Sequence, residues 1–262
     1  MSKTMKLEQP SNFYANTTHL ILQGKGGCGK SLKANVLAQY FLNRGCDPIC
    51  GDTDPVNSTF HQLKDLSVQL VPITNGGAVV QRLFDPLFET MMTVKDVSVI
   101  DNGASTFLPI AKYISSNDVL EALQAAGKQV YIHSVVTGGQ AKDDTVTGLL
   151  SMIDLVKSSK ANTKIVVWEN EFWGIPDFKG TPLSEMPWIT DNKDVIQGVV
   201  KIIDRNSDAY TTDIRIMTEK HLSLRQVMAS DDFGTMSKSR IQRFYQDIFN
   251  DLDRVLNFPA EG

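Results

Sequence analysis

Short apolar runs alternate along this chain with longer stretches in which apolar residues recur every three or four positions. The runs predict strands near residues 19–23, 48–52, 96–101, 129–136, 164–168 and 199–203, with a further strand near 67–72 at a sheet edge. The longer stretches predict helices at roughly 31–44, 78–92, 107–125, 139–158 and 191–197. Residues 235–257 predict one long amphipathic helix packed on the sheet, because Ile241, Phe244, Tyr245, Ile248, Leu252, Val255 and Leu256 follow helical spacing. Strand–helix alternation of this kind specifies an α/β fold: a doubly wound, mostly parallel sheet with helices on both faces and ligands at the carboxyl ends of its strands. No repeat, low-complexity tract or linker divides residues 19–262, which read as a single domain, and residues 1–18 read as a flexible arm.

The first predicted strand runs into Gly24-Lys25-Gly26-Gly27-Cys28-Gly29-Lys30-Ser31, which fits G-x-x-x-x-G-K-[ST] between a strand and a helix. Glycines let the backbone wrap around a polyphosphate with its N–H groups turned inward, and the following helix adds its positive end. Gly24 to Gly29, Lys30, Ser31 and Leu32 therefore form the candidate nucleotide cradle. Lys30 is placed on the β/γ-phosphates and the Ser31 hydroxyl on Mg²⁺. Carboxylates follow two further strands, in Gly51-Asp52-Thr53-Asp54-Pro55 and Val99-Ile100-Asp101-Asn102-Gly103. At the sheet edge that carries the loop, one carboxylate can hold Mg²⁺ through its waters and another can orient the attacking water.

Lys25 stands where an ordinary phosphate loop needs no cation. The run from Lys25 to Ser31 resembles the deviant Walker A motif of the ParA/MinD family of P-loop ATPases. Asp52-Thr53-Asp54-Pro55 is similar to that family's second motif, and Ile100-Asp101 to its Walker B aspartate. The resemblance implies an ATP-dependent homodimer with nucleotides between the subunits, in which Lys25 reaches the partner's phosphates as an arginine finger would. It also implies that Asp54 positions the hydrolytic water, while Asp52 and Asp101 support Mg²⁺. Val167-Trp168-Glu169-Asn170 resembles the place where a family asparagine reads adenine; Asn170 reads equally as a turn residue. No Asn/Thr-Lys-x-Asp guanine signature is present, which favours ATP.

Within that family, QGKGGCGKS, DTDPVNSTF, VIDNGASTFLP, VVTGGQ and VWENEFWG resemble TraL-type proteins of conjugative plasmid transfer. The resemblance implies an ATPase attached to the conjugation or secretion machinery. Three alternatives stay open: a ParA-type partition ATPase, a nucleotide-switched scaffold with negligible hydrolysis, and a small-molecule kinase or synthetase built on the same loop. Where partition proteins typically have Asp-Pro-Gln, this chain has Asp54-Pro55-Val56-Asn57, which puts contacts of that glutamine in question.

Composition narrows the setting. The 262 residues are 42% hydrophobic and 21% charged, with a net charge of −4, which argues against a globally basic nucleic-acid binder. Arg225, Lys238, Arg240 and Arg243 make a local basic patch, but Asp247, Asp251 and Asp253 follow it, so a solvated face is favoured over DNA binding. No apolar run is long enough to span a bilayer, no secretory h-region is present, and the last helix lacks the basic polar face of a membrane anchor. Cys28, Cys46 and Cys50 read as reduced thiols, and the expected setting is cytoplasmic. Gly138-Gly139 and Asn102-Gly103 are candidate switch turns. His133 reads as a satisfied core group, and the loop holding Trp173, near Trp168 and Trp188, as a packed lid.

Overall fold

The computed structural model describes residues 13–205 and 207–257. Its strands are β1 (Thr17–Ile21), β2 (Ile49–Asp52), β3 (Gln69–Leu70), β4 (Thr74–Asn75), β5 (Ala78–Val79), β6 (Val97–Asp101), β7 (Gln129–Thr137), β8 (Lys164–Asn170) and β9 (Ile196–Ile202). Its α-helices are α1 (Lys30–Asn43), α2 (Asp85–Thr93), α3 (Phe107–Ser116), α4 (Val119–Ala125), α5 (Lys142–Ser158), α6 (Pro187–Thr190), α7 (Asp208–Glu219), α8 (Leu224–Ala229) and α9 (Thr235–Val255). Seven strands form a sheet in the order β3-β2-β6-β1-β7-β8-β9, and every pairing in it is parallel.

Parallel strands buried on both faces need apolar cover on each side, and two cores supply it. On one face α1, α7 and α9 bring Tyr40, Phe41, Tyr210, Phe244 and Tyr245 against Val97, Val135 and Val166. On the other, Phe84 just before α2 and Phe88, Ile110 and Leu149 of α2, α3 and α5 pack against Leu20, Ile132 and Val167. Every apolar position read on the last helix is buried in the first core. There α9 lies so close to β9 that a Cβ on Gly198 would stand 3.0 Å from Val255. Cys28, Cys46 and Cys50 are free and buried. Among the described residues, no helix is long and apolar enough to cross a membrane.

The structure departs from the expected elements at four places. Residues 78–92 are not one helix: Gly76 (φ 59°) and Gly77 (φ 82°) close a two-residue turn, so Ala78–Val79 pair back onto Thr74–Asn75. Helix α2 starts only at Asp85, with Pro86 in its first turn. Residues 107–125 divide into α3 and α4 where Asp118 adopts a left-handed φ of 47°. Residues 191–195 form turns, and the β-branched run from Val195 makes β9, so the helix expected over 191–197 is absent. Finally, α7 and α8 fill a region for which no element was expected. The strand β1 begins at Thr17 and Tyr14 is buried, so the end of the expected arm is folded; residues 1–12 lie outside the described residues.

A polar chain crosses the sheet beneath the site. The Trp168 indole donates to His133 Nδ1 (2.9 Å), leaving His133 Nε2 as the donor to His19 Nδ1 (2.9 Å). His19 Nε2 then donates to Thr17 Oγ1 (3.2 Å), whose hydroxyl donates to the Tyr14 carbonyl (2.7 Å). This fixes both tautomers. Burial pushes His133 down to about 3 and His19 well below its ordinary value.

Candidate functional site

Strand register assembles the site before any side chain is considered. β1 lies between β6 and β7, and Asp101 is opposite both Ile21 of β1 and Asp52 of β2. The loop after β1 and the two carboxylates therefore share one carboxyl edge. Gly27 (φ 74°) and Gly29 (φ 89°) take left-handed conformations that curl this loop back to α1. Helix α1 opens at Gly29 with no side-chain cap, so its first N–H groups are left for an anion.

The loop is braced from several sides. Gln23 is fully buried; its amide donates to the carbonyls of Val135 (2.8 Å) and Thr145 (3.0 Å) and accepts from the Lys25 N–H (3.4 Å). Gly148 makes room for it, since a Cβ there would stand 2.0 Å from Gln23 Oε1. Lys30 is buried inside the curl and donates to the Lys25 carbonyl at 3.0 Å. The Cys28 thiol points at the same carbonyl (3.2 Å), and burial pushes it up, so it is not an activated nucleophile. The Cys28 carbonyl in turn accepts from Asn170 Nδ2 (3.1 Å) and from Lys33 Nζ (3.4 Å). Asn170 is 2% exposed and its oxygen accepts from the Phe172 N–H, so its amide is engaged with the loop and its own turn.

The carboxylates take different roles. Asp52, fully buried, accepts from the N–H groups of Asp54 (2.9 Å) and His61 (3.0 Å), which ties down the segment that follows β2. Asp54 Oδ1 accepts from Val56 (2.9 Å) and Asn57 (3.1 Å), an Asx-type turn that holds the residue half-buried against Gly103. Asp101 is 1% exposed, and its Oδ1 has no hydrogen-bond partner. Burial pushes its carboxyl up to about 7, against the pull of the nearby Ser31 hydroxyl. A buried carboxylate oxygen without a donor, beside a hydroxyl at a helix start, suits a hard cation. Among the described residues no three His, Cys, Asp or Glu side chains form a cage, so such an ion needs phosphate and water oxygens as well.

Lys25 is the exposed cation of the group. Its Nζ pairs with Asp144 at 2.8 Å in the first turn of α5, and both side chains face solvent in part. Exposed pairs of this sort contribute about 0–1 kcal/mol and part readily. The loop with Trp173 is not the packed lid expected from the sequence. Trp168 is enclosed in the sheet core, Trp188 packs on Phe178 (5.6 Å between rings), and Trp173 and Ile175 project outward. The loop's backbone is nevertheless fixed by a Gly138 N–H to Gly174 carbonyl bond (3.1 Å). Two of the four basic residues of the expected patch are neutralised, Arg240 by Asp213 (2.5 Å) and Arg225 by Asp65.

Sequence reading missed Gln23, Lys33 and Asp144. Lys33 alone left a signal, as the one charged residue between Lys30 and Arg44 in a helix that is buried around most of its circumference.

No protein-family model matches the chain. Over 94% of its length it is similar to a chain of the MinC:MinD cell division protein complex of Aquifex aeolicus, with a TM-score of 0.53, 14% identity and 98% of that chain covered. That likeness shows a MinD-like fold. Two Escherichia coli proteins named Protein TraL are 39% identical over 235 residues and 35% identical over 237 residues. Each alignment covers 90% of this chain, with 96% and 97% of those proteins respectively. Identity of this level across nearly the whole length of both partners means that the chain belongs to the TraL family.

Proposed function

We propose that this chain is an ATPase of the deviant Walker A type, acting in the cytoplasm as a nucleotide-dependent homodimer in conjugative transfer. The observation that carries the reading is the uncapped start of α1 with Lys30 inside its loop, facing a carboxyl edge where Asp101 keeps an unpartnered oxygen. Gly24 to Leu32 would cradle the phosphates of ATP. Ser31 and Asp101, with Asp52 behind them, would hold Mg²⁺, which supplies charge neutralisation at the transferring phosphoryl group. Asp54, held in place by its turn and by Gly103, would orient the water. Lys25 would leave its weak pair with Asp144 and reach the nucleotide of a second copy.

The decisive experiment is Lys25→Ala. ATP binding should persist in a direct titration while hydrolysis falls to background; hydrolysis at the wild-type rate would reject the cross-subunit role. A nucleotide-switched scaffold is the second reading, since Lys25 is paired on its own subunit and hydrolysis requires that pair to part. Single-turnover assays with and without transfer-apparatus proteins separate the two, since the scaffold shows no phosphate release in either.

A further inference from the structure

Lys33 is a cation the chemistry above does not use. It lies one turn into α1 and is fully enclosed. Among the described residues no carboxylate forms an ion pair with it. Enclosing an unpaired ammonium opposes folding and pushes its pKa down to about 7, so its charged form is held near neutral pH only by a nearby anion. A leucine or methionine would fill the same space at no such cost.

Its position sets it beneath the phosphate loop. Lys33 Nζ donates to the Cys28 carbonyl at 3.4 Å, and a Cβ on Gly29 would stand 2.8 Å from the same nitrogen. The ammonium is thus pressed against the underside of the phosphate loop. Because a trans peptide points its C=O and N–H in opposite directions, a Cys28 carbonyl held by Lys33 and Asn170 turns the Gly29 N–H away from them. Lys30 occupies the inner side of the curl.

We propose that Lys33 is a third cation of the phosphate site, a positioning residue that acts through the Cys28–Gly29 peptide and whose charge is balanced only by a bound nucleoside polyphosphate. This rests on reading the loop as a nucleotide site. Asn170 fixes the same carbonyl without charge, which separates geometry from electrostatics.

The full-length chain is titrated with Mg²⁺ and ATP, ADP or AMP, as wild type and as Lys33→Met, Lys33→Gln and Asn170→Leu, with thermal melting recorded for each. Both Lys33 variants should bind ATP about tenfold more weakly, with a loss that shrinks from ATP to ADP to AMP. Lys33→Met should melt no lower than wild type, because it removes a buried charge. Asn170→Leu should weaken the three nucleotides by a common factor. A wild type that binds none of them rejects the nucleotide reading itself. Given wild-type binding, the proposal alone is overturned by unchanged ATP affinity in Lys33→Met, by recovery in Lys33→Gln, or by equal losses for ATP and AMP. Lys33→Gln carries the comparison if the Met variant does not fold, and failure of both to fold overturns it too, since Lys33 would then be structural.

Discussion

Asp54 and Gly103 meet at a contact that decides whether the carboxylate proposed to orient water can keep its place. A Cβ on Gly103 would stand 2.7 Å from Asp54 Cγ and 3.1 Å from its Cα, and backbone cannot yield there as a flexible side chain would. Gly103→Ala should therefore shift Asp54 while leaving the phosphate loop alone. Displacements of about 1 Å at a reacting centre cost up to roughly a hundredfold in rate. Steady-state hydrolysis should fall by roughly 10- to 100-fold with ATP affinity preserved; equal rates in the two proteins would remove Asp54 from the water-orienting role. Asp52 differs in kind, because both its oxygens are already taken by backbone donors. Those two bonds fix the carboxylate and the shape of the segment behind it.

At the level of elements, two loops define the rim of the site and each is fixed by backbone contact. Gly138 approaches the strand-to-loop crossing after β8 so closely that a Cβ would lie 2.2 Å from the Gly174 carbonyl oxygen and 2.7 Å from that of Ile175. Gly138→Ala should cost about 1–3 kcal/mol in denaturant unfolding, as overpacking against immovable atoms does. It should also speed proteolysis within 171–176; a wild-type digestion pattern would show that the crossing does not hold the loop. The two elements that replaced expected single helices have a local origin. Asp118 interrupts a pattern whose apolar spacing is otherwise helical, and Gly76-Gly77, just before the other, turn Ala78–Val79 back into a strand.

For the whole molecule, the polar chain from Trp168 to Tyr14 stitches β8, β7 and β1 to the segment before the sheet. It functions only with both imidazoles neutral, since every ring nitrogen already has an assigned role. The unfolded chain takes up protons at these histidines below about pH 6.5, whereas the folded chain does not. Stability is therefore complete above that value and falls as pH drops toward about 3, where His133 becomes protonated in the fold. Over that window His133 should contribute a slope approaching about 1.4 kcal/mol per pH unit, and His19, shifted in the same direction, adds to it. Denaturant midpoints measured from pH 6.5 to 5 should decline, and His19→Gln should remove about half of the histidine-dependent slope. An unaltered slope in that variant would mean that His19 is protonated within the fold.

The sequence by itself determined the alternation that builds the parallel sheet, the phosphate loop with Lys25, Lys30 and Ser31, and the strand-end position of Asp52, Asp54 and Asp101. Each is legible because it rests on local spacing: period, glycine placement, and the distance from an apolar run to the polar residue that ends it. The apolar face of α9 was legible for the same reason. What only the tertiary structure decided are pairings between distant segments: Lys25 with Asp144, Gln23 with the carbonyls of Val135 and Thr145, and Asn170 and Lys33 on one carbonyl. Trp168 went to the core and Trp173 to the surface although both belong to one aromatic run. Strand order brings such groups together, and strand order is a property of the folded sheet that no window of neighbouring residues encodes.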